Sequence, residues 1–167
     1  MKCSYINVIA DRLVACLNWK INRLIINIPP RHMKSLLTSV IFPAFVLAKD
    51  PAKGIIVASY SNSLSTKHSL DTRFLMSSEW YRNKFHGTVI SPYQNIKNKF
   101  LTTKLGFRFA TSISGTLTGE GADIIIADDP INALQANSKT FRDKVKMWFV
   151  NTFMTRLKHR RKSIVSK

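Results

Sequence analysis

The chain has 167 residues, 45% of them hydrophobic and 10% aromatic, which suits one globular domain with its own core and excludes a disordered or low-complexity chain. Lys and Arg number 26 against 9 Asp and Glu, a net charge of +17, so the expected partner is a polyanion, nucleic acid before an anionic membrane. Cys3 and Cys16 give neither a metal spacing nor a disulfide framework and read as ordinary thiols of a reducing compartment.

The opening stretch MKCSYINVIADRL is interrupted by Asp11 and Arg12 and lacks a small-residue cleavage site, so no secretory signal is read there. Apolar spacing predicts a helix from about Tyr5 to Trp19. Arg23 to Ile28 is a short branched run ended by Pro29 and Pro30, the pattern of a buried strand and a turn. A second helix is predicted from Lys34 to about Ala48, kinked at Pro43. Its apolar part is too short to span a bilayer and reads as a buried helix.

Asp50 to Gly54 is a loop, and Ile55 to Ser61 a second branched strand. Asn62 to Ser77 reads as a helix with Asn62 or Ser63 as its cap. Trp80 to Lys97 is aromatic, basic and irregular, a loop with short elements. The strings NKFLTT and GFRFATS flank Lys104 and Leu105 and predict a β-hairpin or two neighbouring strands. Ser114 to Asp123 is a Gly/Thr loop, and Ile124 to Asp129 a buried strand ending in two carboxylates. A long helix follows from about Ser138 to Leu157, and KHRRKSIVSK after it is basic and without a clear period. This order implies an α/β sheet with parallel strands.

Two motifs carry chemistry. A phosphate-binding loop ends in Gly-Lys-Ser or Gly-Lys-Thr, with backbone N–H groups and a helix N-terminus cradling phosphates, Lys on the β and γ groups and the hydroxyl on Mg²⁺. Here Lys34-Ser35 follows Pro29-Pro30-Arg31-His32, but Met33 stands in the glycine position and Ile28 in that of the first glycine. The second motif is Ile124-Ile125-Ile126-Ala127-Asp128-Asp129, the shape of a Walker B strand, in which one carboxylate holds Mg²⁺ and the next polarises water. The bland readings are an exposed Lys on a helix and a surface turn.

The strings IINIPPRHMKS, FPAFVLAKDP, IIVASYSNSLSTKHS, SGTLTGEGADIIIADDPI, ANSKTFRDKVKMWF and TFMTRL occur in the order found in phage terminase large subunits. The chain resembles the branch whose loop reads Pro-Pro-Arg-His-Gly-Lys-Ser, over about Tyr5 to Leu157. The resemblance implies a P-loop ATPase domain of the additional-strand, RecA-like type, a mostly parallel sheet flanked by helices. It would occupy residues 1–157, followed by a basic tail at 158–167. The family's activity is ATP-driven packaging of double-stranded DNA into procapsids in the cytoplasm of a bacterial host, with portal protein, the small terminase subunit and further copies of the motor as partners and no membrane.

Carried over to matching positions, the resemblance places ATP on Pro30, Arg31, His32, Met33, Lys34 and Ser35, and Mg²⁺ on Ser35 and Asp128. Asp129 stands at the catalytic carboxylate, and Arg31 at a γ-phosphate or coupling contact. Three departures accompany it. Met33 replaces a glycine able to take positive φ, which predicts weakened or absent turnover. After Leu157 the strand that couples hydrolysis to movement is expected to be lost, together with the nuclease domain, so no DNA cleavage is expected. The upstream adenine-holding segment is short. These departures describe a truncated prophage gene. The alternatives are another DNA-dependent P-loop ATPase and a non-catalytic basic DNA-binding remnant.

Other residues carry bland expectations. Trp80, Tyr81 and Phe85 read as core before base-stacking. Arg142, Lys144 and Lys146 read as a solvated helix face, and Lys158, Arg160, Arg161 and Lys162 as a frayed end. His68, His86 and His159 have no ligand spacing.

Overall fold

The computed structural model describes residues 4–117, 119–158 and 163–166. Helix α1 (Ser4–Leu17) buries Ile9, Leu13 and Cys16, a helical spacing that turns one stripe inward. Strand β1 (Arg23–Ile26) leads through the Pro-rich loop to a π-helical segment, Leu36–Ile41, that runs directly into α2 (Phe42–Lys49). Strand β2 (Gly54–Ser59) is buried along its whole length. Helix α3 (Asn62–Ser77) has the predicted bounds, but its cap is Ser61, whose hydroxyl accepts from the Leu64 N–H.

The aromatic stretch expected to be irregular contains helix α4 (Glu79–Lys84) and strand β3 (Ile90–Asn95). The predicted hairpin is present as β4 (Lys99–Thr102) and β5 (Phe107–Ser112), paired antiparallel. Its turn depends on Gly106, where an added Cβ would lie 2.2 Å from the Pro51 carbonyl oxygen. Strand β6 (Ile124–Asp128) is followed by α5 (Ala133–Ala136) and α6 (Lys139–Trp148). The predicted long helix changes pitch, continuing as a π segment over Phe149–Phe153 and a 3₁₀ turn over Met154–Arg156.

The sheet order is β1-β7-β6-β2-β5-β4-β3, where β7 is Ser163–Ser166. The pairs from β1 through β7, β6 and β2 to β5 are parallel, and β4 and β3 add an antiparallel extension. The expectations of a frayed end and of no strand after Leu157 are corrected for these residues: Ser-Ile-Val-Ser lies between β1 and β6, with Ile164 opposite both Leu24 and Ile126. Four residues are enough for a strand when both neighbours supply a ladder, and the preceding basic run obscured so short a pattern. His159, Arg160, Arg161 and Lys162 of that call, and Cys3, lie outside the described residues.

A second correction concerns β1. It was expected to be buried, yet it is an edge strand among the described residues with Ile25 76% exposed: Ile25 alternates away from the face on which Leu24 and Ile26 join the core and belongs to neither core cluster.

Alternation along β2 sorts the core into two layers. Ile55 and Val57 face a cluster that includes Ile9, Leu13, Leu47 and Met76, from α1, α2 and α3. Ile56 and Ala58 face Val145, Trp148 and Phe153, from α6 and its continuation. Each fully buried Ile, Val, Leu, Phe or Met among these contributes about 1.5–3 kcal/mol relative to exposure, and the parallel pairing of β1, β7 and β6 puts the ends of β1 and β6 on the same rim of the sheet. Among the described residues no helix is long and apolar enough to cross a membrane.

Candidate functional site

The loop after β1 is held in an unusual backbone shape. Arg31 and Met33 both take positive φ, 65° and 58°, in the left-handed region. The His32 Nδ1 lies 2.8 Å from the Pro30 carbonyl and 3.2 Å from that of Pro29. A carbonyl only accepts, so this nitrogen carries the proton. The His32 ring meets Tyr5 of α1 edge-on at 5.8 Å, which ties the loop to the first helix.

Lys34 and Ser35 open the helix, and the Leu37 N–H donates to the Met33 carbonyl at 2.9 Å. The N–H groups of a helix's first turn have no intrahelical acceptor and concentrate positive potential. The loop therefore offers backbone donors and a lysine to an anion in one place.

The carboxylates come from the neighbouring rim. Asp128 ends β6 with no exposed surface, and Asp129 follows it at φ 45°. Asp128 Oδ1 accepts from Ser166 Oγ at 2.6 Å, and Oδ2 accepts from Ser39 Oγ at 2.8 Å. Lys34 Nζ is 3.9 Å from Asp128 Oδ1 and forms an ion pair with Asp129 Oδ1. His68 Nδ1 stands 3.7 Å from Asp128 Oδ2. Burial lowers the His68 pKa below its ordinary value, with Asp128 opposing the shift and Arg108 reinforcing it.

A cleft of about 710 Å³ lies over this rim. Of the residues singled out from sequence, Pro30, Arg31, Met33, Lys34, Ser35 and Asp129 line it. Asp128 sits beneath, and His32 faces Tyr5. The two motifs thus meet through Lys34, 95 residues before Asp129 in the chain. Among the described residues no group of three or more His, Cys, Asp or Glu converges as a metal cage. The donor set suits a hard cation held in part by its own anion, with oxygen ligands from a hydroxyl and a carboxylate.

Sequence reasoning missed Ser39, Ser166 and His68. Ser39 lies on the same helix one turn beyond Ser35, a signal that spacing could have supplied. Ser166 was hidden in a segment read as frayed, and His68 was set aside for lack of a ligand pattern.

The other basic residues have ordinary settings. Arg142 donates to the Ala136 carbonyl, and Lys146 pairs with Asp143 on the exposed face of α6. Lys158 Nζ is 4.0 Å from Asp123 Oδ2. The aromatic group divides: Tyr81 is buried, whereas Trp80 is 64% exposed and touches Phe85 edge-on. His86 is exposed. No protein-family profile matches the chain, and no curated protein matches it.

Proposed function

We propose that the chain is a phosphate-loop ATP-binding domain related to the ATPase of the terminase DNA-packaging motor. The observation that carries this reading is the place of β7. It lies between the strand that leads into the Pro-rich loop and the strand that ends in Asp128, a position that fits an additional-strand, RecA-like sheet although no strand was expected after Leu157. Lys34 then faces both carboxylates across the inserted strand.

In this reading the N–H groups opening the helix and Lys34 hold the β and γ phosphates, and Arg31 reaches the γ phosphate from the loop. Ser35 and Asp128 would hold Mg²⁺, which would supply charge neutralisation to the phosphate oxygens. Asp129 orients and polarises the attacking water as general base. Lys34 exchanges Asp129 for phosphate as ATP enters, which leaves that carboxylate for the water. The burial of Asp128 and its hydroxyl donors suit a group that acts on the cation without moving.

Met33 favours a second reading. Its left-handed φ is the conformation in which glycine is least costly, so the chain keeps the loop shape with an unfavourable residue. With the net charge of +17, this supports a domain that binds double-stranded DNA with weak or no turnover. Calorimetric titration of Mg²⁺–ATP into the wild type and Lys34→Ala separates the readings. Heat that saturates and depends on Lys34 supports the ATP site, and no saturable heat alongside retained DNA binding supports the second reading.

A further inference from the structure

Behind Asp128 lies a buried polar seam that the proposed chemistry does not use. Its anchor is Arg108 on β5, whose side chain has no exposed surface. Nη2 donates to the Ser39 carbonyl at 3.0 Å, while Nε and Nη1 have no hydrogen-bond partner among the described residues. Desolvation pulls the guanidinium down to about 9, with Asp71 opposing. A buried cation so poorly paired is costly, so packing alone is a weak reason for it.

The Ser39 carbonyl needs a donor for a reason written in the sequence. In an α-helix it would accept from the N–H of residue 43, which is Pro43 and has none. The helix answers by widening: the Phe42 N–H donates to Leu37, five residues back, within the π segment Leu36–Ile41. Arg108 satisfies the carbonyl thus released, and Thr72 Oγ1 approaches it at 3.4 Å. The same residue's hydroxyl donates to Asp128 Oδ2. Ser39 is therefore grasped at its backbone from β5 and grasps the carboxylate with its side chain.

We infer that Arg108 is a positioning residue: by holding the Ser39 carbonyl that Pro43 leaves without its helical donor, it keeps the Ser39 hydroxyl aimed at Asp128 and so fixes the carboxylate at the rim of the cleft. The part of this inference that concerns Mg²⁺ rests on the ATP-site reading above; the part that concerns Asp128 does not.

The test uses the full chain with Arg108→Met, Arg108→Lys, Ser39→Ala and the double variant Arg108→Met/Ser39→Ala. ATP binding is measured with and without Mg²⁺, and the Asp128 carboxyl-carbon NMR signal is recorded without nucleotide. Arg108→Met should cut the Mg²⁺-dependent gain in ATP affinity about tenfold or more, the scale of one hydrogen bond from a charged donor, and leave Mg²⁺-free affinity within about twofold. Arg108→Lys, which keeps a donor, should recover part of the gain. The Asp128 signal should move in Arg108→Met and in Ser39→Ala, and the double variant should move it no further than Ser39→Ala.

An unmoved Asp128 signal in Arg108→Met overturns the inference whether or not ATP binds. A lowered melting temperature with the signal and the Mg²⁺-dependent gain both intact makes Arg108 merely structural and overturns it too. A wild type that binds no ATP, with the NMR pattern as expected, sinks the ATP-site reading and supports the positioning role. If Arg108→Met does not fold, Arg108→Lys against Ser39→Ala decides by the same NMR comparison.

Discussion

Ser166 Oγ donates to Asp128 Oδ1 at 2.6 Å, joining a short segment near the end of the chain to the buried carboxylate at the centre of the candidate site. Both side chains are without exposed surface. Ser166→Ala removes one donor from a buried carboxylate and should lower stability by about 1–3 kcal/mol. Deleting residues 163–166 should do far more, because it takes out a strand with a ladder on each side. Urea unfolding measures both. A deleted chain that unfolds cooperatively at the wild-type midpoint would show that β7 carries no structural weight.

Met33 gives a prediction with two readouts. Its φ of 58° is left-handed. Met33→Gly should relieve about 1–2 kcal/mol of strain, offset by about 0.5–1 kcal/mol from the greater freedom of an unfolded glycine. The net is a small rise in stability, read from the urea midpoint. In the ATP-site reading the same change also opens the cleft mouth, where Met33 is 55% exposed, and tightens Mg²⁺–ATP binding. Equal affinity of the two proteins in calorimetry would clear Met33 of any part in weakening the site.

The ion pair of Lys34 with Asp129 makes a prediction of opposite signs for binding and turnover. Asp129→Asn frees Lys34 from a competing carboxylate, so nucleotide affinity should hold or rise. It also removes the proposed general base, so turnover should fall about a hundredfold or more. A joint fall in affinity and rate would mean that Asp129 holds the nucleotide itself.

The strands and helices rich in branched or periodic residues were legible because their neighbours on the sheet agreed with their local preference. Ile55 to Ser59, Asn62 to Ser77 and Ile124 to Asp128 are of this kind. The meeting of Lys34 with the Asp128–Asp129 rim was legible in outline from motif order. What was not legible depended on contacts far apart in sequence. Ser163–Ser166 is a strand only because β1 and β6 flank it. Pro43 does not break its helix because the π segment and Arg108, 65 positions later in the sequence, absorb the missing donor. Ile25 looks like core in the sequence but lies on an edge.

Tyr81 offers a pH test independent of function. Its hydroxyl donates to the Ala44 carbonyl at 2.7 Å, and burial pushes its pKa up to about 12. An acid whose folded pKa is raised binds its proton more tightly in the folded state. Its contribution to stability is full below the unfolded value of about 10 and is lost as pH rises toward the folded value. The Tyr81 contribution should therefore fall across this window, whereas Arg108, whose folded pKa is lowered to about 9, acts in the opposite sense, so the comparison of wild type with Tyr81→Phe isolates it. Tyr81→Phe should flatten that fall and cost about 1 kcal/mol at neutral pH. A stability difference between wild type and Tyr81→Phe that stays level through the window would contradict the raised value.

The last prediction concerns the polyanion. With a net charge of +17, the chain should bind double-stranded DNA with little preference for sequence, because phosphate contacts position a protein without reading bases. Each phosphate neutralised releases counterions, so log affinity should fall linearly with log salt, by about 0.9 in slope per contact. The basic run Arg160, Arg161 and Lys162 lies just before β7 and tests the source of that slope. Replacing all three with Ala removes charge but leaves Ser163–Ser166 to complete the sheet, unlike a deletion of the whole end. If the run grips phosphate, the slope shrinks by up to about 2.7, and the ATP heat and the urea midpoint stay at wild-type values. If the slope is unchanged, the DNA-facing charge lies elsewhere, and the exposed face of α6 with Lys144 and Lys146 is the next set to change. Affinity that is flat in salt for every variant would remove phosphate neutralisation as the basis of binding, and with it the argument from net charge.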